Sequence, residues 1–253
     1  MSDDLAKYGI GLGSIMTRSD FDVEMIQQVG TDEVVARAAM VSTGRDRSDL
    51  SPEKMLGMLN FLMKNRHGTP FEHGSVTMRI NAPIFIWREY HRHRIGHSFN
   101  EQSGRYTELA PVFYVPGEER RQHCLKPPGF KPSSPSLMAM LAMDKDKWDF
   151  HWEMQKELYL REYERYQNGL TAGMDNGLAR VGLPVGIYSA CYVTCNPRSL
   201  MAFLELRTEE KDAARPSHPL WEMDQIARKV EEIFKRCWPV THSIWCDRGR
   251  MAP

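Results

Sequence analysis

The apolar residues change their period between residues 51 and 80, and this change restricts the fold more than any other feature of the sequence. Residues 51–65, SPEKMLGMLNFLMKN, repeat apolar side chains at helical spacing after Ser51, a favoured N-cap, and Pro52, which suits the first helical position. Residues 74–80, GSVTMRI, alternate apolar and polar side chains, as a half-buried strand does. The fold must therefore contain both helices and sheet.

The other apolar patterns mix helices and strands along the chain. Helical spacing predicts further helices at residues 31–42, 83–94, 137–169, 197–207 and 220–237, the last being the final helix. Thr31 is the predicted N-cap of the first, while Asn196 and Pro197 cap and open the fourth. Residues 187–194 are typical of a strand. Because no regular βαβ alternation is present, we predict an α+β fold.

Two stretches between these elements are predicted loops. Residues 117–135 are rich in proline, and residues 208–219, TEEKDAARPSHP, are polar. Neither separates two regions of different composition, and the sequence contains no internal repeat. We therefore predict one domain over residues 1–253.

The overall charge restricts the kinds of partner. With 33 basic and 33 acidic residues and a sequence pI near 7.1, the chain offers no general attraction for anions. Its most apolar run, residues 55–63, is too short to span a bilayer, and the start lacks the basic region of a secretory signal. The five cysteines form no CxxC pair and are expected to be free thiols. We predict a cytoplasmic protein (host cytoplasm if viral) without membrane partners.

Residues 91–106, HRHRIGHSFNEQSGRY, crowd cationic side chains into one segment of this neutral chain. A planar guanidinium binds phosphate or carboxylate through two parallel hydrogen bonds and stays charged when partly buried. Six arginines lie here or beside later predicted element ends: Arg92, Arg94, Arg105, Arg180, Arg198 and Arg207. The pattern indicates a surface for more than one anionic ligand. A nucleic-acid-binding module would use the same arginines, but the neutral pI counts against it.

Three other chemistries fit this sequence less well. Zinc binding by His91, His93 and His97, with Cys124 as a distant fourth ligand, is disfavoured because the first two point to different faces of a helix and arginines lie between the histidines. We therefore predict no metal centre. Residues 9–14, GIGLGS, do not match GxGxxG and follow no predicted strand. A catalytic pair of His93 with Ser98 or Ser103 lacks the GxSxG context, and flanking arginines lower imidazole basicity.

The segment RHRIGHSFNEQSGRY resembles the signature of flavin-dependent thymidylate synthases (the ThyX family), which runs RHR, seven or eight residues, serine and a nearby arginine. Here Arg92-His93-Arg94 is followed by eight residues and Ser103, with Arg105 just after it. Further stretches occur in the family's order between residues 30 and 235: RAAMVS, HGTPFEH, APIFIWRE, LARVGLP, NPRSLMAFLELR and HPLWEM.

This resemblance implies an α+β fold with a central, mostly antiparallel sheet flanked by helices. It implies a homotetramer whose sites are shared between subunits and which binds FAD without a Rossmann fold. The reaction it implies is the methylation of dUMP to dTMP, with 5,10-methylenetetrahydrofolate as carbon donor and NADPH as the reductant of FAD. No protein nucleophile is then required.

The resemblance also assigns residues by matching position. The implied FAD site contains Ser42, His67, Thr69, Glu72, Arg92, His93, Arg94, Asn100, Glu101, Asn196, Arg198 and His218. The implied dUMP site contains Glu89, Tyr90, His91, Arg92, Glu101, Gln102, Ser103, Gly104, Arg105, Arg180 and Arg207. Arg207 and Ser103 are the implied catalytic residues, with Arg207 facing the charge that develops on the uracil ring.

Two positions and one segment depart from the family pattern. Glu89 stands where many members have glutamine, and Ala202 replaces an asparagine that helps relatives bind FAD. The segment between Arg207 and His218 is longer than in compact relatives.

Overall fold

A computed structural model describes residues 14–125 and 145–253. The strands are β1 (Met16–Arg18), β2 (Asp22–Val29), β3 (Ser75–Pro83), β4 (His97–Glu101), β5 (Val112–Tyr114) and β6 (Tyr188–Cys195). The helices are α1 (Asp32–Met40), α2 (Pro52–Lys64), α3 (Ile84–Tyr90), α4 (Glu118–Leu125), α5 (Lys145–Thr171), α6 (Asn176–Ala179), α7 (Pro197–Arg207), α8 (Trp221–Cys237) and α9 (Pro239–Asp247). Short 3-10 turns cover Val41–Thr43, Thr69–Glu72 and Arg180–Gly182.

Four strands form the main sheet in the order β2-β3-β6-β4. The outer pairs β2–β3 and β4–β6 are antiparallel, and β2 contains a bulge between Met25 and Gln27. In β3 the side chains of Val76, Met78 and Ile80 are fully buried and alternate with half-buried ones, as the sequence predicts. With the surrounding helices, this sheet confirms the α+β prediction.

The described chain divides into two compact units made of interleaved segments. The first comprises residues 14–20, 83–85, 102–125 and 145–189. The second comprises the rest, at residues 21–82, 86–101 and 190–253. The prediction of one domain over residues 1–253 stays a prediction.

The first unit has an aromatic core under the segment that follows Gln102. Strands β1 and β5 pair in parallel, and Tyr159, Tyr163 and Tyr166 of α5 pack around Phe113 and Leu109. The tyrosine hydroxyls are satisfied by the backbone: that of Tyr163 donates to Leu109 O at 2.9 Å, and that of Tyr166 accepts from Leu109 N at 3.2 Å. Helix α5 therefore fixes the end of this segment.

The second unit builds its core from the sheet and helices α7, α8 and α9. Asn196 caps α7 by accepting the Ser199 N–H at 2.8 Å, as predicted from the sequence. Helix α8 buries the apolar residues Met223, Ile226, Val230, Ile233 and Phe234. Helix α7 buries Leu200, Phe203 and Leu204 and presents Arg207 at its last position.

Several predicted boundaries are wrong. The helix predicted at 83–94 ends at Tyr90, because the N–H groups of Arg92 and His93 bond to carbonyls only three residues back and the chain then turns at Gly96. Pro83 is the last residue of β3 rather than the first of this helix. Residues 97–101 form a strand because they pair with β6, which lies far away in the sequence.

Other differences concern loops and helix ends. The predicted loop at 117–135 contains α4 over Glu118–Leu125. The rest of this loop, residues 126–135, lies outside the described residues. Residues 137–144 of the long predicted helix and the glycine-rich residues 9–13 lie outside them too. Helix α5 continues to Thr171, and the helix predicted to be last is followed by α9. Thr31 stands at the N-cap of α1 without a side-chain cap bond. Polar residues 208–219 are irregular, as predicted.

Candidate active site

The cationic segment of the sequence forms a tight turn between α3 and β4. Arg92 and Arg94 are exposed on this turn, and neither makes an ion pair with any residue the structure describes. The turn is anchored to α7, because the Ser199 hydroxyl donates to Ile95 O at 2.9 Å. Two unpaired guanidinium groups on an anchored turn have the chemistry to bind an anion.

Gly96 is required where this turn meets the start of α7. Its φ of +66° is a conformation that L side chains rarely adopt, and an added Cβ would collide with the Ser199 hydroxyl and lie 2.9 Å from Asn196 Nδ2.

We expect Gly96→Ala to lower the free energy of unfolding by about 1–3 kcal/mol, since it adds backbone strain and disturbs the cap of α7. Urea denaturation measures this change. The matched control is Gly57→Ala in α2, where an added Cβ meets nothing within 4 Å. That variant should be more stable than the wild type by about 0.5–1 kcal/mol. An equally stable Gly96→Ala protein would contradict the account of the turn.

Arg207, Glu89 and His93 form a bonded group in the second unit. Arg207 pairs with the Glu89 carboxylate through Nη1, and its Nε donates to His93 Nε2 at 2.9 Å. About a fifth of the Arg207 side chain stays exposed (20%), as does 23% of that of Glu89. The guanidinium is therefore held at two points while part of it remains open to a ligand.

His93 is neutral in this arrangement. The pKa of His93 is lowered from 6.5 to about 4. The largest cause is burial, followed by electrostatic repulsion from Arg207 and then from His97. Since Nε2 accepts from Arg207, the ring proton lies on Nδ1. His93 thus orients the guanidinium and carries no charge near neutral pH.

The lowered pKa of His93 makes stability depend on pH. As pH falls from about 6.5 to about 4, the unfolded chain takes up a proton that the folded chain does not, so the folded state loses stability in that window. We expect His93→Gln, whose amide oxygen also accepts from Arg207, to reduce this loss by about 1–3 kcal/mol. Thermal unfolding of both proteins at about pH 7 and about pH 4.5 measures the difference. Equal losses would mean that His93 titrates normally.

Four of the residues implied for FAD lie on two neighbouring elements of the second unit. Glu72 and Thr69 are in one 3-10 turn, and Asn196 and Arg198 are at the start of α7. Arg198 pairs with Glu72 at 2.6 Å and donates to Pro253 O at 3.0 Å. It also lies so close to Gly68 that an added Cβ there would collide with the guanidinium. Thr69 belongs to the same 3-10 turn as Glu72, and Asn196 caps the helix that carries Arg198.

The other FAD residues have contacts of their own. Ser42 donates to Ala39 O at 2.9 Å, and the exposed His67 packs edge-on against Phe61 with ring centroids 5.6 Å apart. His218 is 83% exposed and lies 3.8 Å from Glu209 in the 208–219 segment. In β4, Asn100 faces out and Glu101 is half-buried. Among the described residues, His218 has no hydrogen bond or ion pair with Arg198 or Glu72.

The first unit holds another group of the implied dUMP residues. The Ser103 hydroxyl accepts from the Arg105 N–H at 3.3 Å, which closes a turn. Gly104 is buried, and a Cβ there would lie 3.0 Å from Arg180 Cδ. Within residues 14–125 and 145–253, neither Arg105 nor Arg180 is paired with a carboxylate. Gln102 is exposed just before this turn.

Two further dUMP residues of the sequence prediction are packed inward. Tyr90 is fully buried and stacks on Phe203 at 4.4 Å, so its side chain supports the site from the core. His91 is half-buried between Trp87 and Phe99, and its Nε2 is buried without a hydrogen-bond partner in the described chain.

Sequence reasoning missed the residues that support the site. His97 lies beside His93, and burial lowers the pKa of His97. The tyrosines of α5 hold the segment after Ser103. The tyrosine spacing at 159, 163 and 166 is an i, i+4, i+7 stripe that marks a helix face, although nothing local indicates what this face contacts.

Comparison with known proteins gives the family. Residues 24–240 match the family described as thymidylate synthase complementing protein. This chain belongs to that family. The flavin-dependent thymidylate synthase of Streptomyces avermitilis is 41% identical over 240 residues, which cover 93% of this chain and 95% of that protein. That of Tropheryma whipplei strain TW08/27 is 40% identical over 241 residues, covering 93% and 96%.

Solved structures agree with this assignment to the ThyX family. The UMP/dUMP methylase PolB from Streptomyces cacaoi, bound with 5-Br dUMP, aligns with a TM-score of 0.84 and 38% identity over 94% of this chain and 100% of that one. Its form bound with 5-Br UMP aligns with a TM-score of 0.81 and 37% identity over 95% and 100%. The ThyX fold is confirmed, and the chain is a methyltransferase-type enzyme. No helix in the described ranges is long and apolar enough to cross a membrane.

Proposed function

We propose that this enzyme methylates dUMP to dTMP, with 5,10-methylenetetrahydrofolate as carbon donor and FAD reduced by NADPH. The observation that carries the proposal is Arg207, a guanidinium held by Glu89 and by a neutral His93 with part of its surface open. A fixed cation in a partly dry site stabilises negative charge that develops on a pyrimidine ring.

The residues of the second unit fit a flavin dinucleotide. Arg92 and Arg94 have no carboxylate partner among the described residues, and a diphosphate supplies the anions they lack. The His97 Nε2 atom is buried without a described partner, so polar capacity remains for a ligand. We propose that these residues, with Glu72, Asn196 and Arg198, hold FAD. Reduced flavin, when bound, supplies the hydride.

The protein's own part of the mechanism is binding and electrostatics. We propose that Arg105 and Arg180 bind the nucleotide phosphate beside the Ser103 turn, since both are uncompensated cations there. Glu89 and His93 hold Arg207 in place before substrate arrives, so no reorganisation is needed as charge develops. His93 cannot act as a general acid near neutral pH because its pKa is about 4.

The buried cysteines are unsuited to covalent catalysis. Burial raises the pKa of Cys191 to about 12 and raises that of Cys195 as well, so both remain thiols at neutral pH. We expect Cys191→Ala and Cys195→Ala to keep turnover within about threefold of the wild type, since neither is a nucleophile. Steady-state assays of the folded variants test this expectation. Loss of chemistry with flavin still bound would point to a covalent step.

The reaction itself is tested by tritium release from dUMP labelled at C5. FAD, NADPH and methylenetetrahydrofolate are omitted in turn, and release should require each of them. Absence of release from folded, flavin-loaded protein would refute the proposal. The same assay with labelled UMP is the second arm, because PolB is described as a UMP/dUMP methylase and was solved with both brominated nucleotides. Preference for UMP would identify UMP as the substrate and leave the proposed methylation reaction unchanged.

The assembly and location are also proposals. We propose a homotetramer with sites shared between subunits, which the similarity to thymidylate synthases over 93% of the chain supports. The cytoplasmic location stays a prediction from the sequence.

A further inference from the structure

Glu231, His242 and Cys246 converge where α8 meets α9 in the second unit. His242 Nε2 lies 2.9 Å from the Glu231 carboxylate, and Cys246 Sγ lies 3.7 Å from the same nitrogen and 3.9 Å from Nδ1. One ligand atom from each residue fits within a group no wider than 4.8 Å. The His242 and Glu231 side chains are only 12% and 13% exposed. The proposed function does not use this cluster.

The three residue types are those that bind zinc. Thiolate, imidazole and carboxylate are its usual protein ligands, and three of them leave one position for water. His242 and Cys246 are four residues apart on α9, so they lie one above the other on the same face. Spacing in the sequence does not indicate this set, because Glu231 comes from α8 whereas His242 and Cys246 come from α9.

A cation already occupies the cluster. Arg250 places one nitrogen 2.7 Å from each oxygen of Glu231, and its Nη1 lies 3.8 Å from Cys246 Sγ. Its guanidinium also lies 4.3 Å from the ring centre of Trp245. Arg250 has a φ of +61°, which is uncommon for a residue other than glycine. The cluster thus attracts positive charge, supplied here by a residue in a disfavoured conformation.

We propose that Glu231, His242 and Cys246 form a binding site for a thiophilic divalent metal of the zinc class, from which the Arg250 guanidinium withdraws when the metal binds. The metal forms bonds to sulfur, nitrogen and oxygen, and the protons of the thiol and of the metal-binding ring nitrogen leave to solvent.

Withdrawal of Arg250 would also affect the proposed active site. Its Nη2 donates to the Thr208 hydroxyl at 2.9 Å, and this hydroxyl bonds to Leu204 O at the end of α7. Thr208 is buried and directly follows Arg207. We therefore infer that a metal here inhibits turnover by loosening the end of the helix that presents Arg207. This consequence rests on the proposed function, whereas metal binding does not.

Binding is tested on the full-length, chelator-treated, tag-free protein by titrating zinc ion against a chromophoric chelator. We expect one tight zinc per chain, and binding about tenfold or more weaker in Cys246→Ser. Arg250→Met removes the competing cation and should bind zinc about tenfold more tightly. The control is Arg228→Met, which removes an arginine of α8 that pairs with Asp224 and Glu210 instead. It should leave zinc affinity unchanged. Equal affinity in all four proteins would overturn the site.

X-ray absorption at the zinc edge gives a second readout that does not depend on activity. One sulfur ligand is expected in the wild type and in Arg250→Met, and none in Cys246→Ser. A wild-type spectrum without sulfur would overturn the proposal even if zinc inhibits the enzyme. Thermal unfolding of each variant without zinc confirms that it is folded. If zinc binds as expected but tritium release never occurs, the proposed function fails and the metal site stands.

Discussion

Arg207→Ala is expected to lower turnover by about 10³-fold while the protein stays folded and keeps its flavin. The side chain is fixed by Glu89 and His93, and its open surface is the cation we propose for the charge on the pyrimidine ring. The measurement is tritium release under saturating dUMP, with the flavin content read from its absorbance. Turnover near that of the wild type would refute the role of Arg207.

Two further variants separate the charge of Arg207 from its position. Arg207→Lys keeps the charge but not the planar fork, and it should recover only part of the lost turnover. Glu89→Gln removes the paired carboxylate and restores the residue that many family members have, so we expect turnover within about tenfold of the wild type. A larger loss in Glu89→Gln than in Arg207→Lys would mean that Glu89, rather than Arg207, carries the chemistry.

Arg92→Ala is expected to weaken flavin binding by about 10- to 100-fold, the usual effect of losing a charge-assisted hydrogen bond to phosphate. Arg92 is exposed on the turn before β4 and pairs with no residue in the described parts of the chain. Its removal therefore breaks no internal contact, and the melting temperature of the flavin-free protein should not change. Equilibrium dialysis with FAD gives the affinity.

The control for Arg92 lies four residues upstream. Arg88 is also exposed and makes no ion pair with any described residue, yet it stands outside the RHR motif on α3. Arg88→Ala changes the net charge by the same amount and should leave FAD affinity unchanged. If both variants lose affinity equally, the effect is general electrostatic attraction and not a contact of Arg92.

Local sequence predicted the elements whose signals are local. Ser51 and Asn196 accept the N–H groups expected of N-caps, and β3 alternates as its residues require. The RHR motif, Ser103 and Arg105 led to the ThyX family, which comparison confirmed. These caps, this alternation and this motif each depend on residues that are close together in the sequence.

The missed features depend on contacts between distant residues. Strand β4 exists because His97–Glu101 pairs with Cys191–Cys195, and the HSFNE sequence alone has no strong strand pattern. The ion pair of Glu89 and Arg207 joins residues 118 positions apart. His93 is visible in the motif, but its bond to Arg207, which in turn pairs with Glu89, is set by the sheet and α7.

The interleaving of the two compact units determines how the chain can be cut. The backbone passes between them at residues 20–21, 82–83, 85–86, 101–102 and 189–190, so neither unit is one continuous segment. A fragment that contains residues 102–189 carries most of the first unit but lacks β1 and residues 83–85. Neither half can therefore be produced alone by simple truncation, and exchange of segments with relatives must keep several junctions compatible at once.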